Sequence, residues 1–244
     1  MKVRRTMDER KRISTHYEKE LQDIKQNLLY SGALTEKAIE NVVASLLERK
    51  SDLARQVIDG DREIDRLDTE IEEKCIRLLA LRQPIARDLR FITTAIKING
   101  HLERIGDMAV NIAEKVLDLN EQPQLKPYID LPRMAEIARE MIRGSLDAFV
   151  SENCEMANRI RRMDSAIDSL NEQIFRELLT FMIEDTRTVH RALLIMQVSK
   201  NLERIADHAK GMADMVVYMV TGINVRHQWP GDPDDTCETK RVED

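Results

Sequence analysis

The sequence predicts an all-α protein built as two three-helix bundles in tandem. Three observations carry that expectation. Leu, Ile, Glu, Arg, Lys, Ala and Met are abundant, while the 244 residues include only 8 Gly, 6 Pro and 4% aromatic residues, a usage that favours long helices over sheets. The phrase Leu-Glu-Arg-Ile-x-Asp stands at Leu102 to Asp107 and again at Leu202 to Asp207, one hundred positions later. Between the copies, Asn120 to Pro132 concentrates three prolines among polar residues, which marks a linker.

The elements follow in order. Thr15-His16-Tyr17-Glu18 reads as a capping box, and Tyr17, Leu21, Ile24, Leu28, Ala38, Val42 and Leu46 step mostly by three or four. The first helix therefore ends near Lys50 and reaches roughly 50 Å at ~1.5 Å per residue, with Gly32 loosening it midway. Ser51 caps a second helix through Leu81, with Val57, Ile64, Leu67, Ile71 and Leu78 as its apolar stripe and Asp61, Asp65, Asp68 and Glu72 along another side. Pro84 suits the first turn of a third helix running from about Ile85 to Leu119. The second half repeats the plan with Met134 to Val150, a helix from about Ser151 to Phe181 and one from about Asp185 to Val220. Aligning Asp61 with Asp164 gives 164 − 61 = 103, whereas Glu103 with Glu203 gives 100, so three residues differ in the second helix or the turn after it. The expected organisation is 1–119 for the first bundle, 120–132 for the linker, 133–221 for the second bundle and 222–244 for an aperiodic, flexible tail.

Composition narrows the function. A formal net charge of −6 argues against nucleic-acid binding by counterion release. The short, mixed basic stretch from Lys2 to Arg12 does not alter this. No apolar run approaches the ~18 residues needed to span a bilayer, and the N-terminus lacks a signal-peptide core, so membrane association is expected only indirectly, through partners. Cys75, Cys154 and Cys237 are odd in number, far apart and without CxxC spacing, which fits a reducing, cytoplasmic setting.

The duplicated phrase also places chemistry. At ~100° per residue, Glu103, Asp107 and Glu114 fall within about 40° on one helix face, and Glu203, Asp207 and Asp214 repeat the pattern. Set against Asp61 and Asp65 in the first half and Asp164 and Asp168 in the second, each pair becomes one wall of a carboxylate groove. Such grooves offer hard oxygen ligands for iron, manganese, magnesium or calcium, and zinc tolerates them. The competing reading is a solvated face or a set of salt-bridge partners for Arg104, Arg204 and their neighbours. His208 is read as a surface or salt-bridged residue, and His16, His101, His190 and His227 sit in no ligand spacing. Met212, Met215 and Met219 are read as packing residues. The residues three before each histidine are Ile13, Ile98, Arg187, Ile205 and Asn224, so the Glu-x-x-His pattern of a di-iron oxidase is missing. No GxSxG, P-loop, HExxH or kinase phrase occurs, and no enzyme activity is expected.

In Gly60-Asp-Arg-Glu-Ile-Asp-Arg-Leu67, Asp88-Leu-Arg-Phe-Ile92, Leu102 to Ala113 and the echo Asn201 to Ala209, the chain resembles the PhoU family of phosphate-transport accessory proteins. The likeness runs from Thr15 to about Val220. It implies two tandem three-helix bundles related by internal pseudo-two-fold symmetry, a PhoU-like, spectrin-like arrangement, and an E/D-x-x-x-D motif that holds multinuclear iron or zinc clusters in some members. Carried over, the motif falls on Glu103/Asp107 and Glu203/Asp207, with Asp61/Asp65 and Asp164/Asp168 contributing from neighbouring helices. It further implies a negative regulator of phosphate uptake and of the phosphate-starvation response, in contact with the transporter ATPase subunit and a sensor histidine kinase, and a homodimer. The alternative is a metal-dependent hydrolase or metal-storage bundle. The second half departs from the pattern: Ala206 replaces Gly106, Gly211 replaces Asn111, and Thr188-Val189-His190 stands opposite Asp88-Leu89-Arg90. The two sites are therefore expected to be inequivalent.

Overall fold

In the computed structural model, residues 7–225 and Cys237 are described, with side chains given for His16 to Val225 and for Cys237. Six long helices and one short turn of 3₁₀ helix make up the fold, and no strand occurs among the described residues. The helices are α1 (Met7–Glu48), α2 (Ser51–Arg82), α3 (Ala86–Asn120), α4 (Asp130–Ser151), α5 (Cys154–Glu184) and α6 (Val189–Thr221), with the 3₁₀ turn at Thr186–Thr188. The first three pack together, as do the last three, and the halves meet through α3 against α6 and α1 against α4. No described helix is long and apolar enough to cross a membrane.

The expected apolar stripes become the core. Ile24, Leu28, Val42 and Leu46 of α1 are buried, as are Val57, Ile64, Leu67, Ile71 and Leu78 of α2. A single hydrophobic cluster includes side chains from all six helices. Met212, Met215 and Met219 belong to it, as packing residues should. At the seam Phe91 of α3 stacks on Phe149 of α4 with centroids 5.0 Å apart, and the Arg90 side chain donates to the Met219 carbonyl at 3.0 Å.

Several local expectations are corrected. Helix α1 already runs through Thr15, so the capping-box reading fails there; Lys2 to Thr6 of the basic opening lie outside the described residues. Gly32 does not loosen α1. The helix is continuous, and a Cβ at Gly32 would stand 2.1 Å from Cδ1 of Leu146, so this glycine lets α4 approach α1. Ser51 is already the first residue of α2; the N-cap position is taken by Lys50, whose side chain makes no capping hydrogen bond. Helix α5 instead starts at Cys154, where the Asn153 side chain accepts from the Met156 N–H at 3.0 Å. Pro132 lies within the first turn of α4, where its missing N–H costs nothing. The three-residue length difference resolves at the start of the last helix of each half: α3 runs 103 − 86 = 17 residues before Glu103, whereas α6 runs 203 − 189 = 14 before Glu203. The 3₁₀ turn takes the place of the missing helix start.

The cysteines also depart from expectation. Cys154 and Cys237 form a disulfide across a sequence separation of 83, and Cys75 is the free, buried thiol. Of the expected flexible tail, residues 226–236 and 238–244 lie outside the described residues; among the described ones Cys237 is bonded to the start of α5, Val225 is buried at 2% exposure and Ile223 packs on the core. Distance in sequence hid the pairing, because nothing in the spacing of the two cysteines records that the chain returns to the start of α5.

Candidate metal centre

The first acidic groove lies where α2 and α3 cross. Gly106 makes the crossing close, since a Cβ there would come within 2.8 Å of Oδ1 of Asp61 and 3.2 Å of Cδ1 of Ile64. The Asp61 carboxyl is therefore held against the α3 backbone. Burial first, then the neighbouring charges of Asp65 and Asp107, push it up to about 6. Glu103 is also raised, by burial and then by Asp107, with Asp68 and Asp65 adding to the effect against Arg104. Asp68 is raised by burial, Glu72 and Asp65, although Asn99 donates to its Oδ1 at 2.7 Å. The described cation closest to this set is Arg104, which reaches Asp107 at 3.0 Å and Glu103 at 3.3 Å from a side chain that is 61% exposed.

Asp61, Asp65, Glu103 and Asp107 are thus one electrostatic unit of hard oxygen donors, suited in chemistry to a divalent cation. Among the described residues no group of three or more His, Cys, Asp or Glu side chains is gathered tightly enough to hold an ion. Asp61 and Glu103 hold their protons more tightly than free carboxyls do, through burial first and then through the charges of the neighbouring carboxylates.

The second groove, between α5 and α6, repeats the carboxylates but not their surroundings. Asp164 is buried and ion-paired to Lys210, and Glu203 is paired with Lys200 at 2.6 Å. Asp168 is raised by burial, Asp164 and Glu203, with Lys210 and Lys200 opposing. Asp207 is raised by burial and the same acids, against Lys210. Burial pulls the Lys210 ammonium down, but Asp164 and the other acids more than compensate, and it ends raised. The buried polar link between the helices is retained in altered form, with the Ser199 hydroxyl donating to the Asn171 amide oxygen at 2.6 Å where Asn99 meets Asp68.

Glu114 and Asp214, two helical turns along, diverge. Glu114 is 54% exposed beside Lys115, whereas Asp214 accepts from Nε of Arg161 at 2.6 Å. Lys200, Lys210 and Arg161 are the functional neighbours that the sequence reading missed. The signal was present in the repeat itself, because at the established offsets they stand opposite Gly100, Val110 and Ile58. His208 is another correction: it is half-buried, and its Nδ1 lies 2.9 Å from Nδ1 of His101 across the α3–α6 seam. Burial, then Arg204 and Arg104, lower its proton affinity.

A family model described as the PhoU domain matches this chain twice, over residues 31–116 and 131–216. The chain belongs to the PhoU family. The displacement, 131 − 31 = 100, equals that of the duplicated phrase. Among PhoU relatives, a "Phosphate-specific transport system accessory protein PhoU homolog" of Pseudomonas putida is 38% identical over 216 residues, covering 88% of this chain and 84% of the relative. Another of that name from Aquifex aeolicus is 40% identical over 210 residues, covering 86% and 95% respectively. The crystal structure of PhoU from Pseudomonas aeruginosa superposes with a TM-score of 0.82 at 36% identity, covering 85% of this chain and 100% of that one. The phosphate transport system regulatory protein PhoU from Streptococcus pneumoniae gives 0.79 at 28% identity, with 86% and 99% covered.

Proposed function

We propose that this PhoU-family chain is an accessory regulator of phosphate transport that restrains phosphate uptake and the phosphate-starvation response through protein contact. The supporting observation is the likeness, over most of both chains, to relatives named as accessory proteins of the phosphate-specific transport system. The partners in this reading are the transporter ATPase subunit and a sensor histidine kinase. The chain shifts each toward one conformational state only by its difference in affinity between states. Pull-down of both partners at high and low phosphate tests the assignment; absence of interaction under both conditions overturns it.

A divalent metal, iron or zinc by family likeness, completes the proposal. Asp61, Asp65, Glu103 and Asp107 would hold it, and its charge would offset their mutual repulsion and tie α2 to α3. The chain's own residues set the geometry: Gly106 admits the Asp61 carboxyl against α3, and Asn99 fixes α3 to Asp68 on α2. Non-catalytic action is part of the reading. A hydrolase or storage protein would instead show turnover or metal release, so a phosphatase screen of metal-loaded protein separates the classes. A homodimer is also proposed, and sedimentation velocity checks it. The cytoplasmic placement is tested by alkylating thiols at the moment of cell lysis. A reducing compartment opposes the Cys154–Cys237 bond, so the account predicts that both thiols are trapped free; finding them bonded places the protein in an oxidising setting.

A further inference from the structure

The two halves carry the same four carboxylates, but only the second pairs a buried member of the set with a cation, whereas in the first Arg104 pairs with Asp107 and Glu103. Lys210 is paired with Asp164, which is 7% exposed, and Lys200 reaches Glu203 at 2.6 Å. Two helical turns along, Arg161 holds Asp214 at 2.6 Å and also donates to the Asn158 amide oxygen at 3.0 Å. The first-half counterparts of Lys200 and Lys210 are Gly100 and Val110, and that of Arg161 is Ile58. The first groove is also more acidic, because Asp68 and Glu72 stand opposite Asn171 and Phe175. Arg104 there is 61% exposed, much as Lys200 is at 60% in the second half, so the cation that separates the grooves is Lys210, which pairs with the buried Asp164.

We infer that the second groove is filled by the protein's own lysine ammonium groups in place of a metal ion, leaving one working cation groove per chain. An ammonium on a four-carbon stem supplies positive charge and three N–H donors, so Lys210 satisfies the buried Asp164 carboxylate without any ligand from solution, whereas Lys200 offers Glu203 charge but no hydrogen bond to its buried Oε2. A divalent cation entering there has to displace the Lys210–Asp164 pair and meets the repulsion of the Lys210 and Lys200 charges. Four carboxylates of correct spacing therefore do not fit a metal in this half. The inference rests on the metal reading of the first groove given above, but its test is separable from it.

The test is calorimetric titration of metal-free full-length protein with Mn2+ alone, with helicity checked by circular dichroism. The double variant Lys200→Ala/Lys210→Val is expected to gain one additional binding event, at least about tenfold tighter than any second-groove binding in wild type. Asp164→Asn added to that variant removes the gain. Lys210→Arg, which keeps the charge, stays silent. The reciprocal Val110→Lys places an ammonium beside Asp61 and is expected to abolish first-groove binding. A folded double variant with no gain overturns the inference, as does wild-type protein in which Asp164→Asn removes as much Mn2+ as Asp61→Asn. Wild-type protein that binds no Mn2+ in either groove overturns the metal reading of the first groove, and the gain or its absence in the double variant still decides the second.

Discussion

Asp61 is held where burial, Asp65 and Asp107 all oppose its charge, and its carboxyl rises from 3.8 to about 6. Taken alone that displacement is worth about 3 kcal/mol, and with solvent screening at a half-exposed site about 1 kcal/mol. The folded state binds this proton more tightly than the unfolded state does. Its stabilising contribution is therefore complete below about pH 4 and is lost as pH rises through about 6. In metal-free protein Asp61→Asn should raise the Tm by about 2–4 °C at neutral pH and by almost nothing near pH 4, in scans at both pH values; an equal gain at both pH values contradicts the electrostatic origin. Gly106 offers a second test. Alanine gains about 1 kcal/mol of helix propensity, yet its Cβ would press on the Asp61 carboxyl and on Ile64. Gly106→Ala should leave the Tm within a few degrees while weakening first-groove Mn2+ affinity, a split that calorimetry beside thermal melting resolves. Ala206 already stands at the matching place in the second half.

At the scale of elements, periodicity found every helix and most of its buried face, because a 3.6-residue stripe is written locally. Helix starts were less legible. Thr15 and Ser51 have capping chemistry without capping geometry, whereas Asn153 and Asp185 do the work, the latter accepting from the Arg187 N–H at 3.0 Å to shape the 3₁₀ turn. Contacts between distant segments were not legible at all. His101 meets His208, and Gly211 leaves room for the ring, since a Cβ there would lie 2.7 Å from it. Nothing in either helix records the other's rotation. The Cys154–Cys237 bond is the same kind of long-range fact. It closes a loop of 83 positions, so in purified protein oxidised to form the bond Cys237→Ser should lower the Tm by about 5–15 °C through the unfolded chain's recovered entropy, and under reducing conditions it should change the Tm little. Helicity by circular dichroism should not change, because the residue freed lies beyond α6.

For the whole molecule, the hydrophobic cluster runs through both halves and α3 packs directly on α6. The two family matches thus share one core, and a single calorimetric transition is expected, with van't Hoff and calorimetric enthalpies in agreement; two resolved transitions would show independent halves. The duplication and the carboxylate pairs were readable in the sequence as a matter of spacing. The inequality of the grooves was only partly readable. Ala206 and Gly211 stood out as departures, but the lysines look like ordinary surface residues until α5 and α6 are seen side by side. The most direct measurement of the central claim is bound metal per chain after loading and desalting, compared among wild type, Asp61→Asn/Asp107→Asn and Asp164→Asn/Asp207→Asn. The account predicts that the first-half variant loses the metal and the second-half variant keeps the wild-type content. Equal loss from both variants, or no loss from the first, would contradict it.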